Sequence, residues 1–258
     1  MDEAVPLFAV RGLSKTFPSG FTALCSIDLD IFEGECLFIA GSNGSGKTLL
    51  MRILAGLMDA SSGEIRFRGK PLAAWGGGLR RSIGMVFQDA DAQILGETVY
   101  EDIRFGPENQ KLPPGEIEKR VSESLAMLGL ETKKDFPPRR LSGGEKRRLA
   151  VAGILAMGCD TVVFDEPFAN LDWPGVIQVL RILRDLKAEN RTVIVLTHEL
   201  EKALAFADRL VILDKGRIRA AGLPGEILDA LDPRWGVRDP RRNYQKAADC
   251  SWLDDESP

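Results

Sequence analysis

Histidine is nearly missing from this chain: there is one among 258 residues. The four cysteines, Cys25, Cys36, Cys159 and Cys250, form no CxxC pair. A structural zinc site, which needs four closely spaced Cys or His ligands, therefore has too little to draw on. Scattered single cysteines suit a reducing compartment better than a disulfide scaffold. No apolar run nears the ~20 residues of a membrane span, so the chain is expected to meet a membrane only through a partner. Its start, MDEAVPLFAV, is acidic and has no long apolar region, unlike a signal peptide. An excess of positive charge is lacking too: the net charge is -4, which removes the bulk footprint of a nucleic-acid binder. The basic clusters EKRR and DPRRNYQK read as solvated faces.

What is present is ordinary globular material, 44% hydrophobic and 28% charged. That is enough for a packed core, in one large domain or one carrying an inserted subdomain. Short apolar runs recur: LFAV, CLFIA, GMVF, TVVFD, TVIVLTH and RLVILD. Helical patterns follow several of them, in GKTLLMRILAGL, VIQVLRILRDLKAEN and ELEKALAFA. Strand then helix, repeated, predicts a parallel sheet with helices on both faces. In the N-terminal third, FTALCSIDLDI and GEIRFRGKPL alternate instead, which predicts an antiparallel sheet wet on one face. Between Gln88 and Asp160 strand signals vanish, and Ile117, Val121, Leu125 and Leu128 fall at helical spacing. The expectation is an α/β fold with a helical insert over about residues 89–159 and, from residue 231 to 258, a weakly ordered polar tail.

The stretch GSNGSGKT, Gly41, Ser42, Asn43, Gly44, Ser45, Gly46, Lys47 and Thr48, matches G-x-x-x-x-G-K-[ST] between an apolar strand and a helical pattern. Glycines let backbone N–H groups curl around phosphate oxygens, and the helix N-terminus adds positive potential. Lys47 is placed to reach β- and γ-phosphates, and Thr48 to bind Mg2+. TVVFDEP ends a strand in two carboxylates whose side chains point different ways. Asp165 is then a candidate for Mg2+ and Glu166 for polarising the attacking water. His198 closes another strand, where ligands of open α/β sheets sit, and is a candidate γ-phosphate contact. Gln88 ends a third strand and is placed to touch Mg2+ and that water. Phe17 could stack on adenine.

One stretch is odd. LSGGEKRRLA, residues 141–150, is a second anion-site pattern, although the chain already has a cradle. With GSNGSGKT, Gln88, VVFDEP, ANLD and His198 in this order, the chain resembles the ATP-binding-cassette ATPases over about residues 5–230. The resemblance implies a P-loop NTPase core and hydrolysis of ATP with Mg2+. It also implies a head-to-tail pair of cassettes, in which Ser142, Gly143 and Gly144 of one chain complete the ATP site of the other and Asp172 couples the two. The second chain could be a copy or a paralogue.

DADAQIL and ETVYEDIRFGPEN are similar to stretches of the ATPases of energy-coupling-factor importers, the cobalt, nickel and vitamin class. Asp89, Ala90 and Ala92 depart from the usual Asn, Pro and Asp there, and Glu145 replaces the commoner Gln. That resemblance implies a site at the cytoplasmic face of the membrane, held by membrane subunits. One is a coupling subunit with arginine-bearing helices docking on a groove of Asp89, Asp91 and Gln93 over an apolar floor of Ile94 and Leu95. The other binds the cargo. A soluble cassette of a protein-assembly machine, such as iron–sulfur-cluster assembly, is the alternative. A P-loop kinase has no use for LSGG.

Overall fold

The computed structural model describes residues 5–241 and, within them, every side chain but that of Arg80. Among the described residues, ten strands and seven α-helices follow one another as β1 (Phe8–Thr16), β2 (Thr22–Ile31), β3 (Cys36–Ala40), α1 (Lys47–Leu54), β4 (Ser62–Phe67), β5 (Lys70–Pro71), α2 (Leu79–Ser82), β6 (Ile83–Val86), α3 (Val99–Asn109), α4 (Pro114–Leu128), α5 (Gly143–Ala156), β7 (Thr161–Asp165), α6 (Trp173–Ala188), β8 (Thr192–Thr197), β9 (Arg209–Asp214), β10 (Arg217–Gly222) and α7 (Pro224–Asp229). They form two sheets: a four-stranded antiparallel one, β2-β1-β4-β5, and a six-stranded one, β10-β9-β3-β8-β7-β6. The second is parallel except for the β9–β10 hairpin.

Strand β3 explains why the central strands are continuous apolar runs. Cys36, Phe38 and Ala40 face one hydrophobic core and Leu37 and Ile39 the other. Both faces are covered, as parallel sheets require. One core packs against α1 and the antiparallel sheet. The other packs against the helices, and every element between β6 and β7 is helical, with α3 and α4 lying on α5. The parallel strands β3, β6, β7 and β8 end on one side of the sheet, so residues 41–48, 87–88, 165–166 and 198 gather at one edge.

Two expectations change. ELEKALAFA is not an α-helix but two 3₁₀ turns, Leu200–Lys202 and Leu204–Phe206, divided at Ala203 (φ -145°). This segment must pass from the end of β8 over β3 and back to the start of β9. A 3₁₀ turn rises about 2.0 Å per residue against 1.5 Å for an α-helix, so it covers that span with fewer residues. The chain after residue 231 is also ordered as far as it is described. Val237 is buried, Leu231 and Trp235 pack on the core, and Gly236 lies against Ser42. The rest of the expected tail lies outside the described residues.

Candidate functional site

The loop Gly41–Gly46 turns the chain from β3 into α1. Gly46, the N-cap of α1, has φ 107°, and a Cβ there would meet Leu24 at 2.7 Å, so both conformation and packing require glycine. The β9–β10 turn braces the loop from behind, with the Gly216 amide donating to the Ser45 carbonyl at 2.9 Å. Nothing local in the sequence announced that brace, or the one from Gly236. The Oγ of Ser45 is buried with no hydrogen-bond partner. A cavity of about 280 Å³ opens beside the loop, lined by Ala23, Asn43–Leu49, Gln88, Asp165 and Glu166.

Lys47 is buried on the cavity wall, its Nζ donating to the carbonyls of Gly41 (2.7 Å) and Ser42 (3.2 Å). The same ammonium lies 3.3 Å from Glu166 Oε1, within ion-pair reach but not aligned as a hydrogen bond. On the other side, Glu166 Oε2 is 3.0 Å from His198 Nδ1. Glu166 thus sits between the lysine and the sole histidine. Its backbone is unusual: φ is 47°, and the next residue is a proline. A non-glycine residue there costs about 1–3 kcal/mol and needs surrounding structure to hold it. The Glu166 amide donates to the Leu196 carbonyl on β8 at 2.9 Å, and its carbonyl accepts from Ala169 at 3.2 Å.

The Thr48 hydroxyl donates to Asp165 Oδ1 at 2.9 Å. With Gln88 on the same cavity, the donor set is a hydroxyl, a carboxylate and an amide oxygen, which suits a hard cation such as Mg2+. Burial pushes the Asp165 carboxyl above its ordinary range; the Thr48 bond and Lys47 oppose the rise, and the Glu166 charge adds to it. A raised folded-state value means that ionised Asp165 is a burden on the fold above that value, and the burden disappears below the unfolded value of about 3.9. Asp165→Asn, which keeps an acceptor for Thr48, is therefore expected to melt higher than the unsubstituted protein at pH 7. Each 1 kcal/mol gained reads as about 2–4 °C at this size. The gap closes as the pH falls toward 4, in paired thermal melts across pH. A gap that widens on acidification contradicts the assignment.

Ser142 N-caps α5 in a capping box. Its Oγ accepts from the Glu145 amide (3.3 Å), and Glu145 Oε2 accepts from the Ser142 amide (2.9 Å). Burial works to raise the Glu145 carboxyl, but Lys133 and the Ser142 amide outweigh it, and the net shift is downward. A Cβ at Gly144 would lie 2.6 Å from Gln178 Oε1, so that side chain would have to move aside. Gly143 has no such neighbour: its φ is not positive and a Cβ would meet nothing. None of the three lines the cradle cavity, so the two anion-site patterns do not meet there.

Several of the expected site residues have local partners of their own. Phe17 is half-buried at the β1–β2 turn under the Lys15 ammonium, 5.7 Å from its ring centre, and does not line the cavity; Ala23 of the same hairpin does. Asp172 N-caps α6, accepting from the Gly175 amide at 3.0 Å. Gln93 does not face outward. Its amide bonds the backbone of Phe87 and Met85, at 3.2 and 3.0 Å, because one side-chain amide can satisfy both an N–H and a C=O where β6 ends. Ile94 packs into the core, while Leu95 is exposed. Asp89 accepts from the Asp91 amide, and Asp91, 65% exposed, pairs with Lys146 on α5 at 2.5 Å. Among the described residues no His, Cys, Asp and Glu cluster suits a metal, and no helix is long and apolar enough to cross a membrane.

A backbone cradle opening a helix, with a threonine–aspartate pair and a glutamate at its rim, defines a nucleoside-triphosphate-binding protein of the P-loop class. The sequence profile of the ABC transporter family matches residues 24–169. An energy-coupling factor transporter ATP-binding protein, EcfA2, of Methanospirillum hungatei is 40% identical over 224 residues, covering 86% of this chain and 56% of that protein. The cobalt import ATP-binding protein CbiO of Rhodobacter capsulatus is 39% identical over 244 residues, covering 91% of this chain and 86% of that one. CbiO1 of Clostridium perfringens, solved as part of the ABC transporter complex CbiONQ, superposes with a TM-score of 0.81 at 37% identity, over 87% and 91% of the two chains. The chain belongs to the ABC transporter family of ATP-binding proteins, whose members are ATPases. It spans about half the length of the Methanospirillum relative.

Proposed function

We propose that this chain is the ATP-hydrolysing subunit of an energy-coupling-factor importer. The observation that carries the reading is Glu166, held at a strained backbone position between Lys47 and His198 on the wall of the cradle cavity. Lys47 and the amides of residues 41–48 take the β- and γ-phosphates. Glu166 takes the proton of the water that attacks the γ-phosphorus while the bond to ADP breaks, and His198 orients that carboxylate and the phosphate. Thr48, Asp165 and Gln88 would hold Mg2+, which supplies charge neutralisation when bound. Ser142, Gly143 and the N-terminus of α5 address the ATP of a second cassette, copy or paralogue. Gly143, which neither φ nor packing requires, leaves backbone open for that contact. Asp172, next to the same face, couples the two sites.

The named relatives support the importer over the soluble assembly cassette. The chain then works at the cytoplasmic face of a membrane through its partners: a coupling subunit with arginine-bearing helices and a subunit that selects the cargo. Docking falls on the helical insert beside Asp89 and Asp91, with Leu95 as the exposed apolar neighbour. Asp91 is the open member of its pair with the half-buried Lys146, and a pair with one solvent-exposed partner is worth about 1 kcal/mol or less, so a partner arginine can displace it. Asp91→Arg is expected to weaken co-purification of the complex from detergent-solubilised membranes, while the isolated chain hydrolyses ATP near normally. Recovery of an undiminished complex, or loss of both activities together, refutes docking at this place. Co-purification with soluble assembly proteins alone refutes the importer.

A further inference from the structure

Arg147 lies on α5 between Lys146 and Arg148. Its side chain is 4% exposed, and among the described residues no carboxylate forms an ion pair with it. Burial pushes its guanidinium below the ordinary arginine value. A buried unpaired cation is costly and survives only where its donors are used. Two are used here, both on backbone. One Nη donates to the carbonyl of Pro167 and the other to the carbonyl of Gln88, the latter at 2.9 Å, while Nε has no partner.

These two carbonyls are not ordinary neighbours. Pro167 follows Glu166, and its carbonyl is the only backbone polar group that residue has. Fixing it helps to hold the left-handed Glu166 conformation. Gln88 lies two residues past the end of β6 and lines the cradle cavity. A guanidinium is planar and its two Nη donors have a set separation. One side chain therefore sets the distance between the loop bearing Gln88 and the turn after Glu166. It does so from a helix whose first residues are Ser142, Gly143 and Gly144. Lys146, the preceding residue, reaches the same loop through Asp91.

We infer that Arg147 is a positioning residue that locks the Gln88 loop and the Glu166 turn of its own site to the helix that addresses the ATP of the second cassette. The inference rests on the ATPase reading above. It gives the helix a way to report the partner's nucleotide: a shift of α5 moves both loops together.

The test measures kcat and KM for ATP, and thermal melts, for the unsubstituted chain, Arg147→Lys, Arg147→Met and, as reference, Glu166→Gln. Arg147→Met removes both donors and is expected to lower kcat by ~10–100-fold, the scale of a small misplacement of reacting groups. KM stays within about two-fold, because the phosphate cradle is untouched. Arg147→Lys keeps the charge but can meet one carbonyl only, so its kcat falls between. Added to Glu166→Gln, Arg147→Met is expected to abolish the ATP-trapped dimer on size exclusion while binding of a fluorescent ATP analogue persists. Arg147→Met with normal kcat overturns the inference, as does a parallel loss of ATP binding or failure of both Arg147 variants to fold, which makes the residue merely structural. If Glu166→Gln is inactive and Arg147→Met is not, only this inference falls. If Glu166→Gln itself hydrolyses normally, the site reading falls and carries this one with it.

Discussion

Glu166→Gln is expected to bind ATP as the unsubstituted chain does and to hydrolyse it about 10²–10⁴-fold more slowly, the usual contribution of a general base. The change keeps size and shape. A glutamine can still accept from His198 and still lies beside Lys47, so the geometry around residue 166 is retained. What goes is the charge and, with it, the ability to take a proton from water. The strained backbone at φ 47° is no harder for glutamine than for glutamate, so the loss is chemical and not conformational. Phosphate release measured against a fluorescent-ATP binding curve separates the two quantities. With hydrolysis stopped, ATP stays between the cassettes, and a dimer peak is expected on size exclusion in ATP that is absent in ADP. Normal turnover removes Glu166 from its role.

A second large effect is expected from mixing two crippled chains. Lys47→Ala removes the buried ammonium of the cradle. Ser142→Arg puts a bulky cation at an exposed N-cap, where the helix loses a cap worth about 1 kcal/mol but keeps its packed face. Each chain alone is expected to be nearly inactive. In a two-fold dimer of one of each, one site has both halves broken and the other has both intact. Statistical pairing then restores up to roughly a quarter of full activity. The cradle cavity of one chain has no lining from Ser142 or Gly143, and the proposed function puts that missing half on another chain. Mixed dimers that form and stay inactive show that the two glycine patterns do not meet across subunits.

The cradle was legible because its parts are contiguous. A strand, six residues of loop and a helix are specified by neighbours in the chain, and the glycine pattern follows directly from backbone approach to phosphate. Asp165 and Glu166 were legible because an apolar strand ending in two carboxylates is itself a local signal. The same holds for His198 and for the central strands, whose unbroken apolar runs follow from burial on both faces.

What no local signal carried were contacts between distant segments. Gln93 reads as a polar surface residue until β6 ends beneath it with an N–H and a C=O to satisfy. Arg147 sits in a basic cluster that reads as a solvated face, yet it is buried against two carbonyls. The segment 199–207 has a helical pattern, but the crossing over β3 sets its rise.

By its own order of residues the chain determined an α/β fold, a phosphate cradle, the carboxylates beside it and a second anion pattern. Those depend on period and spacing, which are properties of neighbours. Only the tertiary structure decided that Glu166 lies between Lys47 and His198, that Arg147 ties two loops to α5, and that the stretch after residue 231 returns to Ser42. The reason is physical. A buried polar group takes whatever partner the packing brings within about 3 Å, and that partner is set by how strands order in the sheet and not by distance along the chain.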